Sequence, residues 1–173
     1  MQLVTQIPVP PSARALTTLV RVDYEDAFVV TVANAGERSA EEWMRVVLEE
    51  SPPPVRRSLR SGWLSLGLKL GSAEASDRVL GWQIRRSEPG LVRVGLDSRV
   101  GMPAELLLER RSDSLLFCTF IHHGNPVLRA VWAVGIAQPH QRVVERLLSR
   151  AAKSEDGRSW IRTRDLVLIR DAL

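Results

Sequence analysis

The sequence predicts an α+β fold: an antiparallel sheet, two short helices after the first strand, and a long helix near the C-terminus. Three observations predict it. Apolar residues alternate with period two through most of residues 79–137. Three prolines, Pro52-Pro53-Pro54, divide a helical stretch in two. A helix-period pattern then runs from Gln138 to about Ser154.

The elements follow in order. Residues 1–22 hold Pro8, Pro10 and Pro11 and read as an extended, loop-like arm. Phe28–Val32 is the first strand, ended by Asn34-Ala35-Gly36. Ser39 and Glu42 form a capping box: the hydroxyl accepts from the Glu42 N–H while the carboxylate reaches back. The helix it opens runs to about Glu50 and carries Trp43, Val46 and Val47 on one side. A second helix, about Pro54 to Leu66, carries the stripe Val55, Leu59, Trp63 and Leu66.

A meander follows a loop over 67–77. Val79–Arg86 puts Leu80, Trp82 and Ile84 on one side, and Leu91–Ser98 puts Val92, Val94, Leu96 and Ser98 there. A three-residue loop, Glu88-Pro89-Gly90, aligns those faces. Ala104–Arg111 places Leu106 and Leu108 inside and Glu105, Glu109 and Arg111 outside. Leu115–His123 and Val127–Ala137, joined at Gly124-Asn125-Pro126, read as the central hairpin. One face of it carries Leu115, Phe117, Thr119, Ile121 and His123 with Leu128, Ala130, Trp132, Val134 and Ile136. The other carries Leu116, Cys118, Phe120, Val127, Val131 and Ala133. An apolar outer face needs a cover, either the strand-like tail Trp160–Leu173 or the same face of a second subunit in a homodimer. Val143, Val144, Leu147, Leu148 and Ala151 form the apolar side of the last helix, and Glu155-Asp156-Gly157 breaks it.

Composition narrows the function classes. A chain of 173 residues is most simply one domain, with a core at about 23–153, an arm at 1–22 and an extension at 154–173. A hydrophobic share of 45% with 25% charged is ordinary for a soluble globular protein. The one cysteine, Cys118, rules out an internal disulfide and sits in an apolar strand as a small hydrophobe. The N-terminus shows no signal-peptide pattern and no apolar run is long enough to span a bilayer, so a cytoplasmic location is expected. The net charge of +4 comes from arginines scattered among acids along the chain, which reads as solvated faces. No specific nucleic-acid binding is expected, because the tryptophans needed for stacking fall on apolar faces.

The element order, together with Asp23-Tyr24-Glu25-Asp26-Ala27-Phe28, Leu80-Gly81-Trp82 and Pro139-His140-Gln141-Arg142, resembles the helix-grip superfamily. These are the START-like, birch-pollen-allergen-like proteins also called SRPBCC, and the short patterns are similar to those of an uncharacterised bacterial family within it. The resemblance covers roughly residues 23–153. It implies a curved sheet wrapped around the last helix, enclosing an apolar cavity for lipids, sterols or polyketides. The superfamily has six strands between its second and third helices; five are evident here, and Leu68–Leu70 is the candidate for the sixth.

The chemistry-bearing residues point the same way. His122 and His123 are adjacent in a strand and face opposite ways, so they do not share a metal ion. His140 stands alone at a helix start, and no spacing suits a metal, a phosphate loop or a nucleophile elbow. No cofactor is called for. The site residues expected instead line an apolar concavity: Trp63, Trp82, Ser98, Phe117, Thr119, His123 and Trp132. The reading is a carrier or binder of an apolar small molecule. The alternatives are a cyclase- or aromatase-type enzyme using His123 as acid or base helped by Thr119, and a module that binds a protein through the outer sheet face.

Overall fold

The computed structural model describes the backbone of residues 4–170 and the side chains of residues 4–155. Seven antiparallel strands form one open sheet: β1 (Val4–Ile7), β2 (Tyr24–Thr31), β3 (Arg78–Val79), β4 (Trp82–Glu88), β5 (Leu91–Leu96), β6 (Ala104–Arg110) and β7 (Ser114–Ile121). Their spatial order is β1-β2-β7-β6-β5-β4-β3. A short turn of helix, α1 (Pro11–Arg14), follows β1. Two short helices, α2 (Ala40–Leu48) and α3 (Pro53–Ser65), follow β2. After β7 come α4 (Pro126–Val131), a π-helical turn at Trp132–Ile136, and α5 (Ala137–Arg170).

β7 is the middle strand and behaves as its period of two requires. Leu115, Phe117 and Ile121 enter the core on the concave side; Leu116, Cys118 and Phe120 pack on the convex side. Its partners are β2 and β6, with Phe117 opposite Phe28 and Leu108. The expected hairpin partner, Val127–Ala137, is not a strand. Asn125 is extended and its side chain accepts from the Leu128 N–H at 2.9 Å, and Pro126 takes the first helical position. Gly-Asn-Pro is therefore a helix cap here, not a strand turn. Period four then orders the run: Leu128, Trp132 and Ile136 pack inward while Val127, Val131 and Val134 stay exposed. Pro139 lacks an N–H for Gly135, four residues back, and the widened turn lies directly before it.

Other local expectations change in detail. The Val79–Arg86 strand is a tight hairpin: Val79 pairs Trp82 across Leu80-Gly81, whose positive φ values of 49° and 93° form a primed two-residue turn. The next loop holds two residues, because Glu88 pairs Leu91, and a bulge at Arg85 restores the shared face. Leu68 makes an isolated bridge to Ser98 and no strand. The last helix does not end near Ser154; its backbone continues through Glu155-Asp156-Gly157 to Arg170, which overturns the strand-like reading of Leu166–Ile169. The tail side chains beyond Glu155 lie outside those described.

The capping box forms as read: Glu42 N–H donates to Ser39 Oγ at 3.2 Å, and Ser39 N–H to Glu42 Oε2 at 2.7 Å. It starts a helix that buries Trp43, Met44, Val46, Val47 and Leu48 on the concave face. The α5 guanidinium of Arg150 then donates to the last carbonyls of α2, at 2.8 Å to Val46 and 3.1 Å to Val47.

The N-terminal arm lies over the convex face, in the place expected for the tail or a second subunit. Val9 and Ala13, with Ile7, Leu16, Leu19 and Val22, pack on Ala27, Leu107, Leu116, Cys118 and Phe120. Burial pushes the Cys118 thiol up to about 12, so it is inert. Glu105, expected to be solvated, is fully buried under the arm. It accepts from Thr17 Oγ1 at 2.6 Å and the Thr18 N–H at 2.9 Å, takes the Thr18 hydroxyl, and pairs with Arg85 at 3.3 Å and Arg93 at 3.7 Å. Its direction was legible as outward; the strap across it was not.

Candidate functional site

The concave side is not filled. A cavity of about 360 Å³ lies between the sheet, α3 and the start of α5. Its floor is Leu106 of β6 with Thr119 and Ile121 of β7; Trp82 of β4 closes one side. Leu59 and Trp63 of α3, with Leu66 just after it, roof it, and Trp63 stands edge-on to Trp82 with ring centroids 5.4 Å apart. Trp132, Ile136, His140 and Val143 close the far end.

Two glycines border this space. Gly62 of α3 and Gly135 of the π turn both line the cavity, and a Cβ built on either meets nothing within 4 Å. Helix interiors normally favour Ala over Gly by roughly 1 kcal/mol. Both glycines are exposed, so these two positions lie at the rim of the cavity.

The walls are mostly apolar; the polar side chains on them are Ser58 and Ser65 of α3 and, at the α5 end, Thr119 and His140. There His140 Nε2 lies 3.1 Å from Asp26 Oδ2 and 3.2 Å from Thr119 Oγ1. Tyr24 O–H donates to the same Asp26 oxygen at 2.6 Å and accepts from Gln141 Nε2 at 3.2 Å. Burial and the neighbouring Asp26 hold the tyrosine well above its ordinary pKa, so it stays a phenol and a donor. An oxygen that already accepts that proton also accepts Nε2–H, so Asp26 orients the His140 ring through Nε2. The Trp132 ring packs on Tyr24, His140 and His123 at centroid distances of 5.0, 5.6 and 5.8 Å.

A second carboxylate fixes the helical end wall. Asp23 accepts from the His123 backbone N–H and lies 2.8 Å from His122 Nδ1. Its other oxygen accepts from Arg129 of α4 at 2.7 Å. Burial alone would raise its pKa, but these donors and Arg21 outweigh it and hold the carboxyl far below its usual range. Asp23 thus ties the arm, the end of β7 and α4 together, and so positions Trp132 over the cavity.

Of the seven residues expected to form the site, Trp63, Trp82, Thr119 and Trp132 meet on the cavity wall. The other three do not. Phe117 is packed in the core between Phe28 and Leu108. Ser98 turns to the backbone of its own loop, 3.4 Å from the Gly67 carbonyl and accepting from the Val100 N–H. His123 is buried behind Trp132, and burial lowers its imidazole pKa, so it is neutral at pH 7. His140 and Asp26 were missed as site residues. Both stood on legible stripes: Asp26 shares the inward side of β2 with Phe28 and Val30, and His140 extends the helical row Val143, Val144, Leu147. Among the described residues no group of His, Cys, Asp and Glu could hold a metal ion, and no helix is long and apolar enough to cross a membrane.

No family model matches the chain, and no curated protein matches it. Among solved structures the chain is similar to CalU16 from Micromonospora echinospora, at 8% identity over 90% of this chain and 96% of that one, with a TM-score of 0.26. Overlap so slight leaves the chemistry to the cavity's own residues.

Proposed function

We propose that this protein binds or carries an apolar small molecule of lipid-like or polyketide-like character, as a helix-grip protein of the START-like kind. The observation that carries the reading is the cavity of about 360 Å³, mostly apolar on its walls with a few polar side chains. Ligand sites for small molecules have this size and this mixture. Trp63, Trp82 and Trp132 supply the apolar contact, with Thr119 and His140 orienting one polar group of the ligand. Native mass spectrometry of the purified protein tests it. The reading expects a co-purified apolar compound that is lost on denaturation; protein that comes out unliganded, and takes up no apolar probe when offered one, refutes it.

One observation favours a second reading, an acid–base enzyme of the cyclase or aromatase type. His140, oriented by Asp26, has the arrangement of a general base at the edge of an apolar site. His123 does not take that role, since it lies behind Trp132. A bound enolisable ketone such as 2-tetralone would then exchange its α-hydrogens in heavy water faster with the wild type than with His140→Ala. Equal rates in both proteins dismiss the enzyme and leave the binder.

A further inference from the structure

Seven large apolar side chains are exposed among the described residues, and six of them fall on the three segments around the cavity mouth. Leu64 and Val55 are on α3, Val100 is in the loop before β6, and Val127, Val131 and Val134 are on α4 and the π turn; Val134 is 90% exposed. The segments touch in sequence. Gly67, just after α3, is packed against Val100, and the Gly124 N–H donates to the Gly101 carbonyl at 2.7 Å, which brings α4 alongside. The three segments are therefore neighbours, each carrying exposed apolar side chains, with the cavity-lining Gly62 and Gly135 on the outer two.

The charge on these segments is one-sided. Residues 51–73, 98–103 and 114–144 contain none of the chain's twenty acidic residues; Asp97, paired with Arg85, and the exposed Glu145 border them. They contain Arg56, Arg57, Arg60, Lys69, Arg99, Arg129 and Arg142. Arg60 donates to the Gly71 and Leu80 carbonyls and Arg129 to Asp23. Arg57, Arg99 and Arg142 are exposed and make no ion pair among the described residues.

We propose that this face docks the protein on an anionic lipid bilayer, with the cavity mouth against the membrane surface. Exposed apolar side chains ringed by arginine gain from both the acyl boundary and the anionic headgroups. A second copy of the chain suits the face less well, because a two-fold pairing would set arginine against arginine with no acid in these segments to pair with them. A nucleic acid would satisfy the arginines and leave the valines in water. Docking supplies the proposed carrier with a route by which an apolar ligand enters without crossing water. It rests on the binding reading for that purpose alone, since the docking is measured without a ligand.

Co-sedimentation of the full chain with phosphatidylcholine vesicles, with and without phosphatidylglycerol, tests it. Binding is expected only with the anionic lipid and should weaken with added salt. Val131→Glu and Val134→Glu, both at exposed positions, should reduce it tenfold or more with an unchanged melting temperature. Arg57→Gln should weaken it about fivefold, the share of one arginine near such a surface. Absence of binding to the anionic vesicles, or binding that these variants leave intact, overturns the proposal. So does a dimer that Val134→Glu dissolves, which would assign the face to a second copy. Uptake of an apolar probe is read separately, so vesicle binding without probe uptake would retire the cavity reading and leave this one standing.

Discussion

The two short helices after β2 are neighbours in sequence and opposites in packing. α2 buries six of its nine residues, including Trp43 at 0% exposure; α3 buries none of its thirteen fully. Both are amphipathic. The difference lies in what each apolar stripe meets. Trp43 packs into side chains and donates its indole N–H to the Ala35 carbonyl at 2.9 Å. Trp63 is only partly buried: it meets the Trp82 ring and the edge of the core, and lines the cavity. A stripe therefore says which side of a helix turns inward, and the void beneath decides whether that helix is a beam or a lid.

Substitution of the two tryptophans should separate these roles. Trp43→Ala removes a fully packed ring and should cost about 3–5 kcal/mol, read from the urea midpoint. Trp63→Ala should cost less than about 1 kcal/mol, because its cavity side already lacks contacts, yet it should weaken uptake of an apolar probe. Equal stability losses would make α3 a second beam and end the contrast.

The two faces of the sheet offer a sharper version. The concave face keeps a void; the convex face is sealed by an arm held at Glu105. Glu105→Ala frees Thr17 and Thr18 of the arm and removes the carboxylate partner of Arg93, while Arg85 keeps Asp97 at 3.0 Å; it should cost about 3 kcal/mol. Exposure of Leu116 and Phe120 should follow, seen as increased binding of a hydrophobic dye at the convex face. A variant as stable as the wild type would mean that the apolar contacts of Val9 and Ala13 hold the arm unaided.

A smaller effect is expected of pH. Burial depresses the His123 pKa, with Asp23 working the other way, so the unfolded chain takes up this proton before the folded one. The stabilising contribution is full above the ordinary value of 6.5 and is lost as pH falls below it. His123→Phe keeps the backbone bond to Asp23 and removes the titration. The wild type should lose more stability than this variant between pH 7 and pH 5 by chemical denaturation; parallel curves would mean that His123 does not titrate there.

Much of this architecture was legible in the chain. Period two located β7 and its two faces correctly, and Ser39 with Glu42 marked the start of α2 to the residue. Gly124-Asn125-Pro126 misled because the same three residues serve a strand turn or a helix cap, and a run as apolar as Val127–Ala137 satisfies both periods. The convex cover could not be read at all: nothing local to Val9, Ala13 or Thr18 says which surface a proline-rich arm will cross. His140 and Asp26 were legible as polar interruptions of apolar stripes, but only their meeting, on elements more than a hundred residues apart, makes them a site.

The central claim is that the concave face holds usable space with Gly62 and Gly135 at its rim. Gly135→Leu, with Gly62→Leu as its counterpart on the lid, tests this most directly, measured as fluorescence binding of the uncharged probe N-phenyl-1-naphthylamine beside a thermal melt. Both variants should melt no lower than the wild type, since a helical glycine is replaced and nothing stands within 4 Å of the new Cβ. Probe affinity should fall tenfold or more. Unchanged probe binding in both variants, or a wild type that does not bind the probe, would contradict the account.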